Sequence, residues 1–399
     1  MVRDAGDGQV VAHRRARGAA LKALALLVFL VVAPATIDAC IRLLLTIRAR
    51  SWRFAGAGAA PPRRWLVIVP ARAEGASVEP TLRSVLAGSP AHPPAVVLLL
   101  DGPDSVAAEC AARLGVEVVV KPSGGPTKAA VLAWIAAGLQ EKIRAAEAVL
   151  FVDVGSRLEE GFFERFVWPA DADAVQAFLA GRGRSVGEAA ARSELLAQHR
   201  EDQGRERLGW AVRLRGTGTV LRPPVALAEL GRLRSTVEDF EMSLLLAAGG
   251  YRVRLGPSSP LVWDDKPETI SAAARQRTRW FAGRFSLLVV QPRAWLRLLR
   301  RSPGQGAAFL VELFSRPLTL TMPVRLLAAA AVLTLAADAA TVAAAAVVLA
   351  SVVLDAAWAA AGMRRSGWSA AFKLAAAWIT AVVMLPRALF GWLRVRPRQ

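Results

Sequence analysis

The chain has almost no cysteine and almost no histidine. Its two cysteines, Cys40 and Cys110, fall in segments of different character, which excludes a disulfide framework and a cysteine-based metal cluster. Three histidines in 399 residues leave little material for a zinc site or a His-based catalytic set. Acidic residues are also scarce beside basic ones, 32 Asp and Glu against 51 Lys and Arg, for a net charge of +19. Such an excess invites a nucleic-acid partner, but nucleic-acid readers carry a basic stripe with aromatics or a recognisable reader motif. Neither is present, so no nucleic-acid partner is expected. No glycine-rich turn follows the first strand-like run, which continues as Pro70-Ala71-Arg72; that counts against a dinucleotide-binding oxidoreductase. Internal repeats and low-complexity linkers are absent as well.

What is abundant is apolar surface: 54% of residues are hydrophobic and the mean hydropathy is +0.36. High charge and high hydropathy in one chain require segregation along it. The basic residues cluster at the edges of apolar stretches, at 13–22, 48–53, 293–301 and 394–398, an arrangement suited to anionic phospholipid headgroups. Residues 1–18 read as a basic N-terminal segment. Residues 19–47 read as a membrane-spanning helix, since a span needs about 20 apolar residues. That stretch is too long for a cleavable signal and ends in Arg42, Arg48 and Arg50 instead of a small-residue cleavage site. Asp38 inside it predicts a position near a helix end or facing a partner helix. Residues 307–393 read as a C-terminal membrane region with about three spans, at 324–337, 341–361 and 370–390. Residues 309–322, which carry Glu312 and Arg316, read as an interfacial helix, and Arg364 and Arg365 predict a cytosolic loop.

Between the apolar ends, residues 63–303 alternate two patterns. Short apolar runs at 66–69, 96–100, 116–120, 149–152 and 175–179 read as buried strands. Helix-like stretches at 78–87, 106–114, 128–141 and 162–167 separate them. This alternation predicts an α/β fold with a mostly parallel sheet covered on both faces. Ligands of such sheets bind where loops leave the carboxyl ends of the strands.

The chemistry-bearing residues stand at those ends. Pro70, in Val69-Pro70-Ala71-Arg72-Ala73-Glu74-Gly75, rigidifies the exit from the first strand. The second run ends in Asp101-Gly102-Pro103-Asp104 and the fourth in Asp153-Val154-Gly155-Ser156. Each alone is ordinary turn or cap chemistry; two apolar strands ending in aspartate point more firmly to a ligand crevice. Such an aspartate can hold a divalent metal on a diphosphate. Thr236-Val237-Glu238-Asp239-Phe240-Glu241 opens a helix reaching about residue 248. Acids in a first turn complement the helix dipole, but three in four positions exceed what that needs, so one is a candidate general base. In Arg275-Gln276-Arg277-Thr278-Arg279-Trp280, Gln276, Arg279 and Trp280 share a helical face. An amide, a guanidinium and an indole together suit a diphosphate and a sugar ring, while a basic amphipathic helix on a membrane is the plainer alternative; residues 271–284 are expected to be interfacial.

In this order and spacing the motifs resemble those of the membrane-bound family 2 glycosyltransferases, the group of cellulose, chitin and hyaluronan synthases, and also the ceramide glucosyltransferases. Gln276 to Trp280 matches their Q-x-x-R-W, Val237-Glu238-Asp239 their acidic motif, and Pro126-Thr127-Lys128-Ala129-Ala130 resembles their G-K-x-x-A-L without its glycine. The likeness runs from about residue 65 to 284. It implies a GT-A fold over 63–303 and an enzyme transferring a sugar from a nucleotide-diphospho-sugar, a UDP-sugar, to a lipid or polysaccharide acceptor. It implies Glu74 and Asp101 at the nucleoside with Lys128 nearby, Asp153 on a divalent cation (Mg2+ or Mn2+) or the diphosphate, and Asp239 as base beside Glu238. Gln276, Arg279 and Trp280 would hold the leaving diphosphate and the acceptor. Gly216-Thr217-Gly218 resembles a small-residue segment lining the acceptor site, and is equally a plain turn. One base without a second carboxylate nucleophile implies single displacement with inversion. The family's usual D-x-D is D-x-G here, as in the ceramide glucosyltransferase branch, so metal affinity rests on fewer ligands. A catalytically silent relative that binds a nucleotide sugar or a partner is the alternative. The expected location is an inner bacterial membrane with the catalytic domain in the cytosol.

Overall fold

The computed structural model describes residues 5–54, 56, 60–88, 93–122, 127–315, 318–335, 338–363, 372–373, 375–377, 379–381 and 383–384. The chain forms two compact units, Met1–Leu44 with Ala307–Arg364, and Leu45–Gly306 with Arg365–Gln399. A long first helix, α1 (Ala5–Ala49), precedes β1 (Trp65–Ala71), α2 (Val78–Ala87), β2 (Ala95–Asp101), α3 (Ser105–Arg113) and β3 (Glu117–Lys121). Then come α4 (Lys128–Gly138), α5 (Gln140–Ala145), β4 (Ala148–Phe151), β5 (Ser156–Leu158), α6 (Phe162–Arg165), β6 (Ala174–Gln176) and β7 (Leu179–Arg182). α7 (Val186–Ala197), α8 (Gln203–Arg207), β8 (Thr219–Leu221), α9 (Pro223–Glu229), α10 (Glu238–Gly249), β9 (Val253–Leu255) and β10 (Val262–Asp265) complete the sheets. Then follow α11 (Ile270–Val290), α12 (Pro292–Arg301), α13 (Pro303–Ser315), α14 (Leu318–Leu335) and α15 (Ala339–Met363).

The larger unit is the expected α/β fold. Its main sheet has the order β3-β2-β1-β4-β8-β6-β9. β1 is central and parallel to both neighbours, with Val67 opposite Val96 and Leu150. β2 and β4 are buried almost throughout because helices cover both faces. Trp65 anchors the core at one end, with its ring centroid 5.1 Å from that of Phe163 and 5.3 Å from Phe166, both edge-to-face. β8 runs antiparallel to β4 and β6. Parallel β1, β2 and β4 release their following loops at one edge of the sheet, which is the edge the aspartates occupy.

Two expectations are corrected. The single strand expected over 175–179 is two strands in two sheets: β6 lies in the main sheet and β7 in a small one ordered β5-β10-β7. Buried Gln176 ends β6 by turning its amide onto the backbone, donating to Thr217 O at 3.0 Å and accepting from Arg215 N at 2.8 Å. A glutamine spent on loop backbone reads in sequence as one polar position in an apolar run. The helix expected over 128–141 breaks at Leu139 into α4 and α5.

The smaller unit is helical. α1 covers the expected span and most of the basic segment before it. Residues 25–49 and 339–360 are long and apolar enough to cross a membrane, and α13 with residues 320–334 passes the same test as a pair bent by 85°. Arg316, Arg364, Arg365 and the 394–398 cluster lie outside the described residues. Of the expected span at 370–390, Ala377 is buried with Val186 and Ala273 in the larger unit. Alanines at the contact, Ala328, Ala329 and Ala345 around Val32 and Val348, let these helices approach closely.

Four ionised side chains cross-link α1, α14 and α15. Arg42 pairs with Asp38 one turn away and with Asp355 at 2.5 Å, and Arg325 pairs with the other oxygen of Asp355. Arg325 also donates to Ser351 Oγ at 2.9 Å and to Ala35 O at 3.3 Å. None of the four is more than 4% exposed, and their formal charges cancel. Asp38 is thus buried and joined to Asp355 of α15 through Arg42. Removing one member strands a charge in an apolar setting, which typically costs about 3–5 kcal/mol. Asp355→Ala is therefore expected to lower the melting temperature of the purified chain in detergent far more than Ser351→Ala; equal melting of both variants and the parent would show that the cluster holds nothing together.

Candidate functional site

The site is organised around one ammonium group. Lys128 opens α4, where Thr127 is the cap, its Oγ1 accepting from Ala130 N at 3.2 Å; Pro126 lies outside the described residues. A cation in a first helical turn opposes the helix dipole, so it needs compensation. Lys128 Nζ lies 2.5 Å from Asp153 Oδ1 and 2.9 Å from Glu238 Oε1. Burial disfavours its charge, but the two carboxylates outweigh that and hold its pKa above the ordinary lysine value. Two acids 85 positions apart in sequence thereby meet at one cation. Lys128 and Glu238, with Gly216 and Asp239, line a cavity of about 30 Å³ whose other walls are mainly apolar.

Asp153 is held by turns on both sides. Its backbone N–H donates to Thr217 Oγ1 at 3.2 Å. Gly155 has φ +93° and donates to Thr81 Oγ1 at 3.1 Å, while Leu158 N donates to Ser84 Oγ at 3.3 Å. One face of α2 therefore fixes the D-x-G turn. Gly216 has φ +81°, and a Cβ there would stand 3.3 Å from Asp153 Oδ2 and 3.8 Å from Lys128 Nζ. The Gly216-Thr217-Gly218 turn is thus a wall of the charged cluster, and glycine is needed at Gly216 both for backbone conformation and for room.

The structure separates the three acids at the start of α10. Glu238 pairs with Lys128. Glu241 is fully buried and fastens the preceding loop, accepting from Arg234 N at 2.9 Å, Ser235 N at 2.7 Å and Gln291 Nε2 at 2.6 Å. Asp239 is half-buried and lines the cavity. Burial first, and then the charge of Glu238, raise its pKa from 3.8 to about 6, against a smaller lowering by the Phe240 N–H, Arg284 and Lys128.

Gln276, Arg279 and Trp280 lie on α11 with Gly283 near the same face, since these positions fall within about a quarter-turn or so of one another at 3.6 residues per turn. A Cβ on Gly283 would come 2.7 Å from Val237, so this side of α11 packs on the approach to α10. Gln276 and Trp280 are half-buried and Arg279 is exposed. Arg277, between them, is buried, and desolvation lowers its pKa to about 10. Arg284, which the motif does not include, sits 5.2 Å over the Phe240 ring and is the guanidinium that acts on Asp239.

At the other strand ends, Glu74 is raised by burial and by the charges of Asp104 and Asp153. Asp104 caps α3, accepting from Ala107 N at 3.0 Å and Gly75 N at 2.9 Å, and is held low by these bonds. Asp101, nearly buried, lies 3.8 Å from Arg72 and 4.0 Å from Lys121. Pro70 is the last but one residue of β1, and Ala73 just beyond it has φ +54°, a strained conformation for a residue with a Cβ. Sequence reading missed Asp264, at the end of β10. Ser156 Oγ donates to it at 3.2 Å, Lys266 pairs with it at 2.5 Å, and burial raises its pKa with Asp153 adding to the rise. Its signal was the one used for Asp101 and Asp153, an apolar run ending in aspartate.

A family model described as glycosyl transferase family group 2 matches residues 148–358, from β4 into α15 and more than half of the chain. The chain belongs to this family. It is a family 2 glycosyltransferase with a GT-A fold. The fold is similar to that of a mannosyltransferase from Pyrobaculum calidifontis solved in complex with GDP-Man and Mn2+, at 18% identity and TM-score 0.51, over 92% of this chain and 99% of that one. A glucosyl-3-phosphoglycerate synthase from Mycobacterium tuberculosis, solved with Mn2+, UDP and phosphoglyceric acid, matches at 18% identity and TM-score 0.37, over 57% of this chain and 78% of that one. No curated protein sequence matches the chain.

For this glycosyltransferase, Gly216→Ala and Gly115→Ala make an informative pair. Both glycines have positive φ, +81° and +67°, but a Cβ on Gly115 meets nothing within 4 Å. Each substitution is expected to cost about 1–2 kcal/mol of stability through strain. Only Gly216→Ala is expected also to lose sugar transfer, measured as nucleotide release, because only there does the new methyl group crowd Asp153.

Proposed function

We propose that this enzyme transfers a sugar from a nucleotide-diphospho-sugar, a UDP-sugar, to a lipid or polysaccharide acceptor at a membrane, with inversion at the anomeric carbon and Asp239 as general base. The observation that carries this reading is the half-buried Asp239 beside the Lys128 cluster, with its pKa raised to about 6. A carboxylate of that pKa is ionised near neutrality yet basic enough to accept a proton in the transition state. It takes the proton of the acceptor hydroxyl as that oxygen bonds to the anomeric carbon, and the sugar–phosphate bond breaks to release the nucleoside diphosphate. A single displacement of this kind inverts the centre, since no second carboxylate forms a covalent intermediate. Pro70, Glu74 and Asp101 border the donor's nucleoside, and Lys128 lies toward its phosphates. Gln276, Arg279 and Trp280 hold the departing diphosphate and the acceptor, where a guanidinium matches phosphate geometry.

The residues also fit a divalent cation, Mg2+ or Mn2+. Such ions are bound through one or two carboxylates with substrate phosphates completing the shell, and Asp153 and Glu238 flank a position that the Lys128 ammonium fills. The donor's phosphates would complete the ion's shell. Asp153 would hold the ion, which stabilises charge on the leaving diphosphate. The mannosyltransferase structure, which contains Mn2+, is in keeping with this.

Asp239→Asn is expected to reduce transfer by about 10²–10⁴-fold while donor binding persists. A catalytically silent protein would show no donor-dependent nucleotide release to lose. With pH, the parent's rate should rise through about 6 as Asp239 ionises. The linkage to folding has the opposite sense. A carboxyl raised from 3.8 to about 6 adds stability while it is protonated, and that is lost as pH rises through about 6. Asp239→Asn should therefore melt higher than the parent at pH 8 and not at pH 4; a lower melting point at pH 8 would contradict the desolvated-base reading.

We place the catalytic unit in the cytosol, where nucleotide sugars are made, with the 25–49 and 339–360 helices spanning the membrane; exposed Leu26, Leu30 and Val31 support a lipid-facing side of α1. The expected location is a bacterial inner membrane. A cysteine at exposed Glu141, in a chain lacking Cys40, should be labelled by a membrane-impermeant thiol reagent only after permeabilisation. Labelling of intact cells would place the donor site on the wrong side.

A further inference from the structure

A second and larger cavity, about 390 Å³, lies at the other end of α10. That end is about 18 Å from Asp239, the length of a twelve-residue helix at 1.5 Å per residue. Trp210, Tyr251, Arg252, Arg254, Arg301 and Gln305 line it. The volume is within the range of small-molecule sites, about 300–1,000 Å³. The charge is not balanced. Arg252 lies 2.6 Å from Asp171, and Arg254 lies 2.5 Å from the same carboxylate and 3.3 Å from Glu206. Arg301 has no acidic partner among the described residues. Its guanidinium lies over the backbone of Gly250, φ +80°, where a Cβ would stand 2.1 Å from Cζ.

The carboxyl end of α10 attracts a guanidinium by itself, which accounts for one arginine there. It does not account for Arg252 and Arg254 on the same cavity. Gln305 adds a fourth donor: the residue is 4% exposed and its Nε2 has no hydrogen-bond partner. The terminal torsion of a glutamine is soft, so its amide can turn to an acceptor placed in the cavity. Arginine forks with a free amide and two aromatic rings suit a phosphate ester on an organic group better than a bare halide or a neutral sugar. The cavity also adjoins α12, whose Arg293, Arg297 and Arg300 are exposed beside exposed Leu296, the composition of a helix that lies on an anionic bilayer.

The geometry points to a phosphate-ester binding site in this cavity, separate from the donor site, with Arg301 and Arg252 as its principal contacts. Its ligand is the phosphate of an anionic glycerophospholipid headgroup or of a soluble ester of the same chemistry. Thermal melting of the full chain in uncharged detergent tests this, with dioctanoyl phosphatidylglycerol, sn-glycerol 1-phosphate or uncharged dioctanoylglycerol added. A saturable rise in melting temperature with the lipid alone assigns the lipid headgroup, and one with both phosphates assigns the phosphate group itself. In either case Arg301→Gln should weaken the midpoint about tenfold or more, the loss of a charge-assisted contact. Because Arg301 packs on Gly250, exposed Arg252→Gln is the second variant, expected to weaken the midpoint with basal nucleotide release unchanged. No saturable response to either phosphate, an equal response to dioctanoylglycerol, or midpoints unchanged in both variants would overturn the site.

Discussion

The lysine at the start of α4 is the constraint on which the site depends. A cation at a helix N-terminus is unfavourable on its own, and Lys128 is only partly exposed. It is kept there because Asp153 and Glu238 both reach it. Remove the lysine and two half-buried carboxylates would be left without their shared cation, one of them next in sequence to a third, Asp239. The turn after β4 and the first turn of α10 would then repel. With the lysine in place, burial and then the adjacent charge of Glu238 raise the pKa of Asp239.

Backbone conformation does the positioning. Parallel β1, β2 and β4 must release their loops on one side, so the first constraint is topological. The second is local. Gly216 brings the chain so close to Asp153 that a Cβ would crowd its carboxylate, and Thr217 takes the Asp153 N–H. α2 contributes two hydroxyls, Thr81 and Ser84, to the other side of the turn. Three short hydrogen-bonding side chains thus hold the backbone that aims one carboxylate, and none of them would be recognised as part of a site by residue type.

The sheet was legible in the sequence because strands buried on both faces are written as continuous apolar runs, and 66–69, 96–100 and 149–152 are such runs. β8 and β9 were missed for the opposite reason: three residues each are too short for a period to show. β6 and β7 were merged because a change of sheet at Gln176 leaves no mark in hydropathy. The acidic motif was legible as a cluster but not as a division of labour. Glu241 differs from Asp239 only in the loop amides and the Gln291 side chain that meet it, and those are tertiary facts. Arg284 was invisible, lying one turn beyond a motif that ends at Trp280. In the helical unit Asp38 could be seen to need a partner, but only packing could supply Asp355 through Arg42.

The D-x-G sequence follows from the same turn. Gly155 is not simply a place where an acid has been lost: its φ of +93° is one that a side chain adopts only with strain, and its N–H is committed to Thr81. A second carboxylate at that position would work against the turn that aims Asp153. In this chain the second carboxylate comes from elsewhere, as Glu238 on α10, brought to the same ammonium from 85 positions away. The acid next to it in sequence is Asp239. A tight turn at β4 is therefore compatible with two acids at the charged centre, and placing the second of them on α10 sets Asp239 beside it. The glycine and the raised pKa of Asp239 are two ends of one arrangement, joined through Lys128.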